Sequence, residues 1–169
     1  RKNINAVIQA FSQLIEQEKP GDLYLVLAGP LGWNFADILA ASKNSARTRD
    51  RIIFTGFIDD ADMAPLYSGA MAFVYPSLYE GFGLPPLEAM QCGTPVITSN
   101  VSSLPEVVGN AGMVIDPANI EELTDALFQM TRGKIWQQYS EKALERASNF
   151  SWEKCAQRTI AAYRDAITT

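Results

Sequence analysis

Glu80 and Glu88, with seven residues between them, bracket Gly81, Phe82, Gly83, Leu84 and the pair Pro85-Pro86. Each residue type in that run has a use against a phosphorylated sugar. Glycines adopt dihedrals closed to other residues and let backbone N–H groups approach a ligand. A proline fits the first turn of a helix, where its missing N–H costs nothing. A helix opening there turns its positive end toward the loop, a ready site for an anion such as a diphosphate. Glu88, about one turn into that helix, can accept hydrogen bonds from vicinal hydroxyls, as acidic residues do with ribose in doubly wound folds. Glu80, on the loop itself, can meet the hydroxyls of a sugar beyond the phosphates. The alternative use of two carboxylates, acid/base hydrolysis of a glycoside, is set by a separation that spacing along the chain does not give.

Taken singly, these residues have plainer explanations. A Gly-x-Gly pair is more often a turn, at about three to one, Glu88 a solvated helix carboxylate and Glu80 a surface charge. It is their joint occurrence on one strand–loop–helix that favours a ligand site. Other conspicuous residues keep the plain reading. Trp33 and Phe35 suit a core or loop anchor at least as well as a cleft wall. Ser103 and Glu106 have the spacing of a capping box. Trp136, Tyr139, Trp152 and Tyr163 fall at helical spacing and read as packing residues or as the face toward another domain. Asp59, Asp60 and Asp62 read as helix-start acids, too few and too alike for a metal site.

The elements that must position the loop follow from the apolar pattern. A helix-period stretch of Ile4, Val7, Ile8, Phe11, Leu14 and Ile15 is stopped by Pro20-Gly21. Short apolar runs at 23–28, 52–54, 71–75, 96–98 and 112–115 read as strands, and helices are expected at 34–43, after Asp59-Asp60, through Ala89 and Met90, after Ser103, and near 120–130, 135–148 and 152–167, the last capped by Ser151. Five strands separated by helices predict an α/β, Rossmann-like parallel sheet with helices on both faces. In such sheets ligands bind beyond the carboxyl ends of the strands, so the loops at 29–35, 55–60, 76–86 and 99–103 carry the interest.

The 169 residues suit one domain, 1–169, with 151–169 as a C-terminal helix. A net charge of −5 excludes a broad basic surface for nucleic acid, so an anionic ligand needs local devices. The chain has no histidine, which excludes a histidine base or His-ligated metal within it. Cys92 and Cys155 lack metal spacing and read as buried thiols of a reducing compartment. No apolar stretch is long enough to span a bilayer. The absence of a starting methionine and the abrupt entry into a helix suggest part of a longer chain.

In these residues the chain resembles the retaining glycosyltransferases of family four with the GT-B fold, in their C-terminal, donor-binding domain. The resemblance rests on Arg1-Lys2-Asn3, Leu25-Val26-Leu27-Ala28-Gly29, Ile53-Phe54-Thr55-Gly56-Phe57, Tyr75-Pro76-Ser77, the E-x7-E of Glu80 and Glu88, Gly93-Thr94-Pro95-Val96 and Ser103-Leu104-Pro105-Glu106-Val107, in order and spacing over essentially the whole chain. The Arg-Lys-Asn start and the Gly32-Trp33 loop resemble the bacterial mannosyltransferase branch. The resemblance implies that Lys2 contacts the donor diphosphate, Glu88 the ribose and Glu80 the transferred sugar, with Lys2 and Glu80 serving catalysis. It implies backbone contacts from Gly81, Phe82, Gly83 and Leu84 to sugar and phosphates, and a seat for the base at Phe57 and Ile58. An arginine that many relatives carry just before the matched lysine falls ahead of Arg1, which either replaces it or follows it.

The implied reaction moves a hexose, best matched by mannose from GDP-mannose, to a hydroxyl acceptor in glycan or polysaccharide synthesis, without cofactor or metal. The implied partners are a GDP- or UDP-hexose and an N-terminal domain that would bring the acceptor pocket; alone, this chain should turn over little. The implied setting is the cytoplasm, with peripheral contact to the inner face of the cytoplasmic membrane through that N-terminal domain. Two other readings stand beside this one: half of a nucleotide-sugar epimerase, which would be expected to carry histidines near the sugar, and a non-catalytic nucleotide-binding or scaffold module.

Overall fold

The computed structural model of the chain describes residues 1–18, 21–30, 32, 35–43 and 47–168. It runs α1 (Ile4–Glu18), β1 (Leu25–Ala28), α2 (Phe35–Lys43), β2 (Ile52–Gly56), α3 (Asp60–Gly69), β3 (Phe73–Tyr75), α4 (Leu84–Gln91), β4 (Val96–Ser99), α5 (Leu104–Val108), β5 (Gly112–Ile115), α6 (Ile120–Met130), α7 (Gly133–Ala147) and α8 (Trp152–Thr168). All five expected strands form, shortened by a residue or two where the apolar run outlasts the pairing. The expected helix stop at Pro20, helix start at Asn34 and the cleft role weighed for Trp33 lie outside the described residues.

Every strand pair is parallel, but the strands make two sheets rather than one: β1 with β2, and β3-β4-β5 with β4 in the middle. The reason a single core still holds them lies in α1. Its 3.6-residue stripe buries Ala6, Val7 and Ala10 against Ile97, Ile115 and α6, while Ile8, Phe11 and Ile15 pack on Ile52 and the β1-β2 sheet. Leu25 of β1 touches both groups. The central β4 is buried on both faces, as its continuous apolar run requires. A third cluster, around Leu87, Met90, Val107 and Val108, joins α4, α5 and α7 behind the signature loop.

The two faces of the smaller sheet are not equally covered. Leu25, Leu27, Ile52 and Phe54 alternate toward α1 and α2, whereas Val26 and Ile53 point the other way and stay 41% and 45% exposed. Phe35 packs edge-on against Phe54, at 5.5 Å between centroids, and so takes the core role. Neither cysteine is the fully buried thiol expected: Cys92, at the end of α4, is only half-buried, and Cys155 is exposed because α8 presents all of residues 152–167 to solvent. Trp152 and Tyr163 on that helix are therefore not core packing residues. Tyr139 of α7 is one, packing on the α1–α6 cluster, while the half-buried Trp136 is anchored by its indole, which donates to the Met71 carbonyl at 2.8 Å. Ser151 caps α8 as expected, accepting from the Lys154 amide at 3.1 Å.

Candidate functional site

The N-terminal segment, the loop after β3 and the start of α4 meet at the carboxyl end of β3, where a parallel sheet places its ligands. Residues 1–3 are held there from both sides. The Leu78 amide donates to the Arg1 carbonyl at 2.9 Å, and the Asn3 side chain donates to the Pro117 carbonyl at 2.8 Å. Asn3 sits at φ 58° and its carbonyl accepts from Ala6, so the chain turns sharply into α1 just after Lys2.

Lys2 is thereby set against the loop. Its ammonium donates to the Tyr75 hydroxyl and to Glu80 Oε1 at 2.7 Å. The Glu80 side chain is only 10% exposed, that of Lys2 40%. Burial alone would raise the Glu80 pKa; hydrogen bonds to its ionised form, led by that from Lys2, outweigh burial and hold the carboxyl below the ordinary glutamate value. Burial pushes the Tyr75 phenol up, against the pull of Lys2. The site thus holds a charged carboxylate, a cation and a neutral phenol within one hydrogen-bonded group.

The loop is braced from behind. The Glu80 amide donates to Ser102 Oγ at 3.1 Å, and Ser103 Oγ donates to the Phe82 carbonyl at 2.8 Å. That second bond replaces the expected capping box: Ser103 makes no side-chain cap on α5, because its hydroxyl is committed to the glycine loop, and Glu106 is left outward. Gly83 enters α4 at φ 104°, ψ 49°, and a Cβ there would lie 2.8 Å from Leu104 Cδ2. Gly81 has open space around it and no left-handed φ, so only one of the two glycines is dictated by the fold. Pro85 and Pro86 occupy the first turn of α4, which leaves Leu84 as the one amide donor there; the helix start offers a dipole more than a cluster of N–H groups.

Glu88 is exposed one turn on, and the buried Tyr67 hydroxyl of α3 donates to its Oε2 at 3.1 Å. Burial, and next the Glu88 charge, push the Tyr67 phenol well up, so it remains a donor. Phe57, 74% exposed, and Ile58 lie after β2 on the loop to α3. Among the described residues no hydrogen bond or ring contact ties them to Lys2 and Glu80. The structure therefore brings together Lys2, Glu80, Gly81, Phe82, Gly83, Leu84 and, a turn away, Glu88. Sequence reading missed Tyr75, Tyr67, Ser102 and the bracing role of Ser103. Tyr75 carried a usable signal, a hydroxyl at the carboxyl end of a strand beside a suspected loop; Tyr67 is indistinguishable in sequence from a core residue of its helix.

Parallel strands between helices, with a lysine–carboxylate pair over the strand ends, define an α/β, Rossmann-like half of a GT-B transferase fold. The chain belongs to the glycosyl transferases group 1 family, whose model matches residues 1–149. It is 43% identical to O-antigen chain mannosyltransferase B of Escherichia coli over 97% of this chain and 43% of that protein. It is 36% identical to the serotype-specific mannosyltransferase WbdA of the same organism, over 96% of this chain and 20% of that protein. Among solved structures it superposes on sucrose-phosphate synthase from Thermosynechococcus elongatus with a TM-score of 0.79 and 31% identity, over 99% of this chain and 43% of that one. The chain thus spans less than half the length of the relatives it matches. Among the described residues no helix is long and apolar enough to cross a membrane.

Proposed function

We propose that this chain is the donor-binding domain, 1–169, of a retaining mannosyltransferase that moves mannose from GDP-mannose to a hydroxyl of a growing glycan. The observation that carries the reading is the ion pair of Lys2 and Glu80 at the carboxyl end of β3, beside a glycine entry into α4 and with Glu88 one turn beyond. In this arrangement Lys2 turns from Glu80 to the departing diphosphate as a compact point charge, aided by the Leu84 amide and the positive end of α4. Glu80, released from Lys2, accepts hydroxyls of the transferred hexose. Glu88, oriented by Tyr67, accepts the ribose hydroxyls, and the base rests by Phe57 and Ile58. The acceptor's reacting hydroxyl comes from an N-terminal domain, and the whole works in the cytoplasm at the inner membrane face.

The mannosyltransferase names of the two Escherichia coli relatives support the choice of sugar. A neighbour of the same fold, HepE of Anabaena, is known in complex with UDP-glucose at 21% identity and a TM-score of 0.77, which supports a nucleotide sugar as ligand. Membership of a transferase family favours transfer over epimerisation. Calorimetric titration with GDP, UDP, ADP and their sugar conjugates tests the reading: one nucleotide is expected to bind selectively, and Glu80→Ala to spare it while removing the added affinity of its sugar. A folded sample silent to all of them would leave a scaffold module as the better account.

A further inference from the structure

Beside the signature loop, between α5, the end of α7 and α8, lies a cavity of about 440 Å³ that no step of the transfer described above employs. Its size is in the range of small-molecule sites. Phe82 and Phe150 form one wall, with centroids 6.3 Å apart and rings at 78°, an angled pair of aromatic faces. The Arg146 guanidinium lies 5.0 Å over Phe150 and donates from Nε to the Val107 carbonyl at 3.0 Å, which fixes the floor.

The polar groups left for a ligand are of both kinds. The Asn149 amide donates its N–H groups to the Glu145 and Arg146 carbonyls, which leaves its oxygen as an acceptor. The Glu106 carboxylate is a second acceptor, and the Arg158 guanidinium of α8 a donor; neither makes a hydrogen bond or ion pair through its side chain among the described residues. An anion asks for donors alone and is repelled by a carboxylate. Hydroxyl groups ask for donors and acceptors together, and the C–H face of a pyranose lies well on an aromatic ring. From this geometry we infer a saccharide subsite that seats a pyranose of the acceptor glycan, away from the reacting hydroxyl. Phe82 makes the connection: the residue whose backbone serves the donor loop offers its ring, 46% exposed, to this second sugar.

The inference rests on the transferase reading, and one sample separates the two. Amide chemical shifts of the chain are followed during titration with methyl α-mannopyranoside, then a mannose disaccharide, then inorganic phosphate, with and without the preferred nucleotide. Saturable millimolar shifts at Asn149, Phe150 and Arg158 are expected from the saccharides, unchanged by nucleotide. Arg158→Ala, a substitution on a fully exposed helix, should weaken them about tenfold, the loss of one charged hydrogen bond, and leave nucleotide binding intact. Saccharide shifts that gather at Lys2 and Glu80, a response to phosphate alone, or no saccharide response at all would each overturn the subsite. If nucleotide still bound in those cases, the donor-site reading would stand without it.

Discussion

Lys2 holds Glu80 in its charged form, and removing the lysine tells what the pair was doing. In Lys2→Met the burial of Glu80 acts without its main counterweight, so its carboxyl should titrate higher than in the parent, held down only by the hydrogen bonds from Ser77 and Tyr75. Carboxyl carbon chemical shifts followed by NMR read this directly; a titration unmoved by the substitution would show that the pair is only a surface encounter. The linkage has a definite sign. Because folding depresses the Glu80 pKa, the pair adds stability that is present above pH 4.5 and is lost as the pH falls through the lower folded value. Tyr67 is tested through Glu88. Glu88→Ala should weaken nucleotide binding by about 1–3 kcal/mol, and Tyr67→Phe, which frees the carboxylate to rotate, by about 0.5–1.5 kcal/mol. Calorimetry with both single variants and the double variant checks it: coupled losses are expected, and strictly additive ones would detach Tyr67 from the site. The carboxylates were legible in the sequence because their spacing is local. The pairing of the two tyrosines with these side chains was not, since Tyr67 is 21 positions from Glu88 and Tyr75 is 73 from Lys2.

At the level of elements, the strand–loop–helix around Gly83 was readable because each part punctuates the chain: an apolar run, two glycines, two prolines. What could not be read was which glycine the fold requires. Gly83→Ala must force a methyl group against Leu104 at a φ of 104°, and a loss of more than about 1 kcal/mol in urea unfolding is expected. Gly81→Ala meets neither obstacle and should change stability by less than about 0.5 kcal/mol. Equal losses at the two positions would contradict the account of the loop. The Ser103–Glu106 spacing misled for a related reason. A serine three residues before a glutamate has two competing partners, its own helix or another segment's carbonyl, and only the tertiary fold brings the Phe82 carbonyl within 2.8 Å of it. The split of the strands into two sheets was equally hidden, since apolar runs announce strands without saying which edges meet.

Over the whole molecule, α8 is the element least bound to the rest. Its position and cap were legible from Ser151 and the helical spacing that follows, yet Trp152, Ile160, Tyr163 and Ile167 are between 50% and 84% exposed, on a helix that buries none of residues 152–167. The family match also ends at residue 149, before it begins. Core burial is the usual source of large stability losses, and a helix without any has none of the mechanisms that cost several kcal/mol. A chain ending at Ser151 should therefore melt within about 2 °C of the full chain, the shift expected for about 0.5 kcal/mol in a domain of this size. Circular dichroism on both proteins checks this, and a fall of several degrees would show α8 to be a buttress of the α5–α7 corner. The same truncation removes Arg158 from the saccharide cavity while sparing Lys2, Glu80 and Glu88. Unchanged melting and nucleotide binding, with saccharide affinity lost, would therefore assign α8 to recognition rather than to folding. Stability alone could not make that distinction, because a helix this exposed leaves so little of itself in the core.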